Sequence, residues 1–141
     1  MVDMKRRILW HGIALFLIGL MTGLVESRFV NPRMGLAAHL EGVMNGTFLL
    51  VLGSIWQELR LPRRLETMLF RGVLYGSYAN WAVTTLAAAL GTVGMTPIAS
   101  TVSRASAWQE VLITGGFVSV GIAMLASSCL ILYGLRGRVV A

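Results

Sequence analysis

Four long apolar runs, separated by short polar joins, leave this chain few ways to fold. A helix needs about 20 apolar residues to cross a bilayer, and the runs at about 8–25, 38–59, 69–93 and 111–135 are of that order. Backbone in lipid must satisfy its own polar groups, and at these lengths the α-helix does so. The breakers sit in the joins. Asn31-Pro32-Arg33 parts the first two runs, Pro62-Arg63-Arg64 the middle two, and Thr96-Pro97 opens the longest connection, 94–110. The expectation is an all-α, four-transmembrane-helix bundle, with 1–141 as a single integral membrane domain in contact with a lipid bilayer.

Charge supports this reading. Only 13% of residues are charged and 56% are hydrophobic, against about 25% charged in soluble domains. The net charge of +6 falls between the apolar runs rather than along one face, so it signals topology, not a nucleic-acid surface. Lys5, Arg6, Arg7, Arg60, Arg63, Arg64, Arg71, Arg136 and Arg138 gather on one side; Arg28, Arg33 and Arg104 lie on the other. By the positive-inside rule both termini are cytoplasmic, as for a multi-pass protein of a bacterial-type inner membrane. Trp10, Trp56, Trp108 and Tyr133 stand near span ends as interfacial anchors. Lys5-Arg6-Arg7 before an apolar run resembles a signal peptide, but the run is long and no small-x-small site follows, so it reads as a retained span.

Several chemistries are excluded. The lone Cys129 rules out an intrachain disulfide, a cysteine-held iron–sulfur cluster and a zinc ribbon. There is no G-x-S-x-G, no H-E-x-x-H, no phosphate loop, and no aspartate after Asp3.

Three runs carry a G-x-x-x-G: Gly19 with Gly23, Gly42 with Gly46, and Gly72 with Gly76. Such pairs let helix backbones approach closely in lipid, which predicts a tightly packed bundle with subunit contacts as well. The second pair lies below His39. On a helix turning 100° per residue, Gly42 is about 60° from His39, Gly46 about 20°, and Asn45 about 60° beyond Gly42. A bare stripe beneath an imidazole is the shape a flat macrocycle can lie against; it is equally the shape that packs another helix. Glu41, about 160° round from His39, reads as a carboxylate in the first turn of its helix, favoured by the positive end of the dipole. His11 and His39 begin successive spans, so about 25–30 Å of bilayer separates them and they cannot share one iron. Met34, Met44 and Met95 lie at a depth compatible with a sixth ligand beside His39. In the third run Asn80 requires partners at both ends of its amide.

Ala38-His39 and Asn45-Gly46 in the second helix, Tyr78-Ala79-Asn80 in the third and His11-Gly12 in the first together resemble the styrene oxide isomerase family. That resemblance implies small four-helix membrane proteins forming homotrimers, with haem b between neighbouring subunits. It implies His39 as the axial iron ligand, Gly42 and Gly46 beside the haem, and Asn45, Asn80 and Tyr78 in the active site. Arg33, with Arg28 and Arg104, would pair with haem propionates. The implied reaction is isomerisation of an aryl epoxide to an aldehyde, with ferric haem as Lewis acid and Asn45 orienting the epoxide oxygen. Two places depart from the family pattern. An aspartate is replaced by Gly76 and a tyrosine by Thr84, with Tyr75 or Tyr78 as candidate substitute phenols. These departures keep a rival reading open: a non-catalytic membrane cytochrome for electron transfer or sensing.

Overall fold

The computed structural model describes residues 2–96 and 104–136. Pro97 and Arg138 therefore lie outside the described residues. Four helices follow one another: α1 Val2–Gly23, α2 Pro32–Ser54, α3 Arg63–Leu90 and α4 Ala107–Leu135. Short 3₁₀ turns, Glu26–Arg28 and Trp56–Glu58, join α1 to α2 and α2 to α3. Helix α2 lies between α1 and α3, while α4 packs chiefly on α3.

The helices start earlier than the apolar runs suggest, and capping explains why. Asn31 is the N-cap of α2, its side chain accepting from the Met34 amide at 3.2 Å, and Pro32 occupies the first helical turn. The polar segment that reads as a breaker is thus a helix start. At α4, Ser106 and Gln109 form a reciprocal capping box. Helix α3 ends on Gly91, whose φ of 70° is left-handed and whose N–H returns to the Ala87 carbonyl.

The α1–α2 contact is built from backbone. A methyl group placed on Gly19 would come within 2.5 Å of the Val43 nitrogen, and one on Gly46 within 2.5 Å of the Phe16 nitrogen. One on Gly42 would come within 2.5 Å of the Gly19 Cα. No side chain fits there, so the axes close to the distance that two G-x-x-x-G pairs allow. The third pair serves α4 instead: Gly72 faces Ser127, and Gly76 faces Met124.

Both ends of the bundle are tied. At one end the Asn31 N–H donates to the Ala88 carbonyl (3.0 Å), the Arg104 N–H to the Gly91 carbonyl (3.1 Å), and Glu110 accepts from Val93 and Gly94 (2.9 Å each). At the other the Arg60 N–H donates to the Gly134 carbonyl (3.1 Å), and the Arg7 guanidinium lies 5.0 Å from the Phe70 ring centroid. The basic cluster expected on one side, Arg138 apart, belongs to this second end.

Trp56 departs from its expected role. It is 1% exposed, stacked edge-on to Phe70, and its indole donates to Glu66 at 3.0 Å, so it is core rather than an interfacial anchor. Trp10 and Trp108 are each 66% exposed. Helices α2 and α4 are long and apolar enough to cross a membrane. Ile13, Leu17, Met44, Met68, Ile122 and Leu125 are exposed on the outer faces of the four helices.

Gly42→Leu is expected to force α1 and α2 apart and cost about 1–3 kcal/mol or more, read as a lower unfolding midpoint in detergent. Gly121→Ala, where nothing lies within 4 Å of the added methyl, should be neutral or stabilising by up to about 1 kcal/mol.

Candidate functional site

The middle of α2 presents polar groups to both of its neighbours. Toward α1, His39 Nδ1 lies 2.8 Å from the Gly19 carbonyl oxygen. A carbonyl can only accept, so Nδ1 carries the proton and the lone pair of a neutral imidazole is on Nε2. The ring lies against Gly23, where a methyl would come within 2.7 Å of Nδ1. The first G-x-x-x-G therefore makes the berth of the histidine: one glycine supplies the acceptor and the other the room. An imidazole held through Nδ1 on a backbone carbonyl, with Nε2 unused, is the usual arrangement of a histidine metal ligand.

Among the described residues no three His, Cys, Asp or Glu side chains converge to hold a metal ion. A single oriented imidazole suits a metal that brings its own equatorial donors, as in a haem. On that test His39 is the residue that would hold a haem, through Nε2. The bare cradle read from the sequence does not hold, however. Gly42 and Gly46 are covered by α1, because the same absence of side chains that would seat a macrocycle seats a helix backbone more closely. Met34 is buried in a cluster with Ala87, Ala88 and Ile113, as a core residue. Arg33 is exposed in the first turn of α2, about 9 Å along the axis from His39 and about 120° round it.

Toward α3 the centre is Glu41. Since α2 begins at Pro32, this carboxylate stands about 14 Å into the helix and not in its first turn. The capping role expected for it is thereby corrected. Asn45, one turn on and 8% exposed, gives both amide hydrogens to the same residue: Nδ2 donates to the Glu41 carbonyl and to Glu41 Oε2, each at 2.9 Å. Asn80 reaches across from α3 and donates its Nδ2 to the same Oε2. The structure thus brings together two residues expected in the site, Asn45 and Asn80, through a third that sequence reasoning assigned elsewhere. The signals that locate Glu41 are the Asn31-Pro32 start and the one-turn spacing to Asn45.

Tyr78 is not in this cluster. Its hydroxyl lies 3.1 Å from His11 Nδ1, with the rings edge to face at 5.7 Å, so the two form a separate polar pair between α1 and α3. Because α1 begins at Val2, His11 is mid-helix and about 12 Å along the axis from Gly19, closer to His39 than the roughly 25–30 Å expected from span starts. Residues two positions apart on a helix differ by about 200°, which is why Tyr78 and Asn80 serve different neighbours. Trp81 fills the space between, its indole donating to Thr22 at 3.0 Å and its ring lying against Gly42. The Thr84 hydroxyl returns to the Asn80 carbonyl at 2.8 Å, and the Tyr75 hydroxyl pairs with Ser119 at 2.7 Å. None of Tyr75, Tyr78 and Thr84 offers a hydroxyl to the Glu41 cluster in these contacts.

A histidine oriented by a backbone carbonyl and a carboxylate holding two amides stand together on α2 of a four-helix chain. The family model for styrene oxide isomerase matches residues 4–136. This chain belongs to the styrene oxide isomerase family. Within it, hydroxylaminobenzene mutase HabB of Ectopseudomonas oleovorans is 46% identical over 134 residues, covering 94% of this chain and 82% of the relative. Hydroxylaminobenzene mutase HabA of the same organism is 39% identical over 125 residues, covering 88% and 93% respectively. No solved structure matches the chain significantly. Membership of the styrene oxide isomerase family, with mutases among its similar relatives, indicates an isomerase-type activity on a small molecule.

In this family member, Asn80→Leu should remove the cross-helix donor from a half-buried carboxylate and cost about 1–3 kcal/mol in thermal or denaturant unfolding. Thr47→Ala, which loses only an exposed bond to its own helix, should stay within about 0.5 kcal/mol.

Proposed function

We propose that this chain is a multi-pass membrane isomerase that binds haem b through His39 Nε2 and rearranges an arylhydroxylamine within the molecule. His39 carries the reading: its Nδ1 is committed to the Gly19 carbonyl, which leaves the other nitrogen free for iron. The mutase relatives supply the substrate class, and the Glu41 cluster supplies polar groups to position it.

The epoxide reaction implied by the family name and an arylhydroxylamine rearrangement make one shared demand. Each breaks a bond from oxygen to the atom attached to an aromatic ring, and the ring delocalises the positive charge that results. In the arylhydroxylamine case the N–O bond breaks, oxygen returns to a ring carbon, the ring loses a proton and nitrogen gains one. An aminophenol results, isomeric with the substrate, and no external electrons enter. Haem, when bound, supplies a ferric Lewis acid that draws electron density toward oxygen. The chain's own residues do the rest. Gly19 fixes the orientation of His39, while Glu41, Asn45 and Asn80 orient the substrate's polar end against its apolar ring. Asn45 cannot donate to a substrate oxygen in the manner first expected, since both of its N–H groups are engaged by Glu41.

His39 and the Glu41 cluster face different neighbours of α2. A homotrimer with haem at subunit interfaces would bring the histidine of one chain toward the amides of the next, which is how the family's assembly enters this reading. All four helices then span the inner membrane, with the termini and the basic end cytoplasmic. Exposed Arg33, Arg28 and Arg104 stand at the opposite end, where propionates would meet them.

Detergent-purified protein should show a high-spin ferric Soret band and convert hydroxylaminobenzene without added reductant. His39→Ala should lose at least nine-tenths of the bound haem by spectrum, and His11→Ala should keep it. A low-spin six-coordinate spectrum without turnover would point to the cytochrome reading, and the absence of any Soret band would reject both.

A further inference from the structure

The hydrogen-bond polarity of the Glu41 cluster says which substrates it can hold. Oxygen Oε2 of Glu41 takes Nδ2 of Asn45 and Nδ2 of Asn80 together, and the Glu41 carbonyl takes the second hydrogen of Asn45. An amide whose nitrogen faces a carboxylate must turn its oxygen the other way. Among the described residues neither Asn45 Oδ1 nor Asn80 Oδ1 has a hydrogen-bond partner. Neither is sealed off, since the buried polar atoms without partners, among the described residues, are Asn31 Nδ2 and Ser77 Oγ. Glu41 Oε1 is likewise open. The cluster therefore presents acceptor oxygens, with one N–H of Asn80 as its remaining free donor.

We propose that Glu41 is the positioning residue that fixes both amides as acceptors, and so selects a substrate bearing N–H and O–H donors, an arylhydroxylamine, over an epoxide. An epoxide carries no donor and would leave these oxygens unpaired in a half-buried site, which is the costly outcome. The hydroxylamine group offers an N–H and an O–H on adjacent atoms, matching neighbouring acceptors. The inference rests on the isomerase reading above but concerns binding, so it can be tested apart from turnover.

Two probes of similar shape decide it: phenol, which donates, and anisole, whose oxygen is capped by a methyl group. Dissociation constants are measured on the haem-loaded full-length protein in detergent, corrected for partition into protein-free micelles. The wild type should bind phenol about 10-fold or more tightly than anisole. In Glu41→Gln the new amide hydrogens can turn Asn80 around, and the preference should fall at least 5-fold. The iron is the same in both proteins, so this change reports the cluster alone. In turnover, Glu41→Gln should raise KM for hydroxylaminobenzene more than it lowers kcat; a purely structural loss lowers kcat and the bound haem together. Asn80→Ala, which removes one open acceptor, should reduce the phenol preference in part even if Glu41→Gln does not fold. A wild type that binds anisole as tightly as phenol overturns the proposal. So does a folded Glu41→Gln with an unchanged ratio. A wild type that prefers phenol yet fails to convert hydroxylaminobenzene would sink the proposed reaction while leaving the acceptor assignment standing.

Discussion

The contact of Gly19 with Gly42 is the constraint from which the site follows. Two helix axes this close place the Gly19 carbonyl within reach of His39, leave room for the imidazole at Gly23, and fix the rotation of α2. Once that rotation is set, Glu41 has one direction to face, toward α3. Neither polar group is positioned by a loop. Both are consequences of how closely two backbones lie, and dispersion at close approach, not water exclusion, is the force that holds helices together in an apolar medium.

A half-buried carboxylate in such a setting is costly unless it is hydrogen-bonded. Here one oxygen collects two amide donors, one from its own helix and one from the next, so the same atom stabilises the α2–α3 contact and organises the site. Stability and chemistry are coupled at that point. On the proposed function, substitutions at Asn80 alter folding and substrate handling together, and only a comparison between ligands of different polarity separates the two.

Much of this was legible in the sequence. The four helices, the basic end and the G-x-x-x-G pairs all follow from hydropathy, charge and 100° periodicity. What failed did so for identifiable reasons. An apolar run marks where lipid-compatible residues begin, but a helix begins where its first N–H groups are satisfied, and Asn31 does that seven residues before the apolar run at 38. Starting α2 at Ala38 made Glu41 look like a cap. The glycine stripe was correctly identified as a bare surface, yet periodicity cannot say what lies on it; α1 does. Trp56 is placed by depth and Tyr78 by resemblance, and neither reveals that Glu66 and His11 lie opposite them.

Helix α4 stands apart in one respect. It meets the rest of the chain chiefly through α3, and Gly115 and Gly121 have open space where a side chain would project. Sequence drift along its outward face is therefore nearly free of constraint from within the chain, whereas the α1–α2 seam admits nothing larger than hydrogen. Two descendants of one ancestor could diverge freely in α4 and still share the first three helices almost residue for residue. A difference between relatives in α4 is for that reason a poor guide to changed chemistry, and a single methyl group at the seam is a good one.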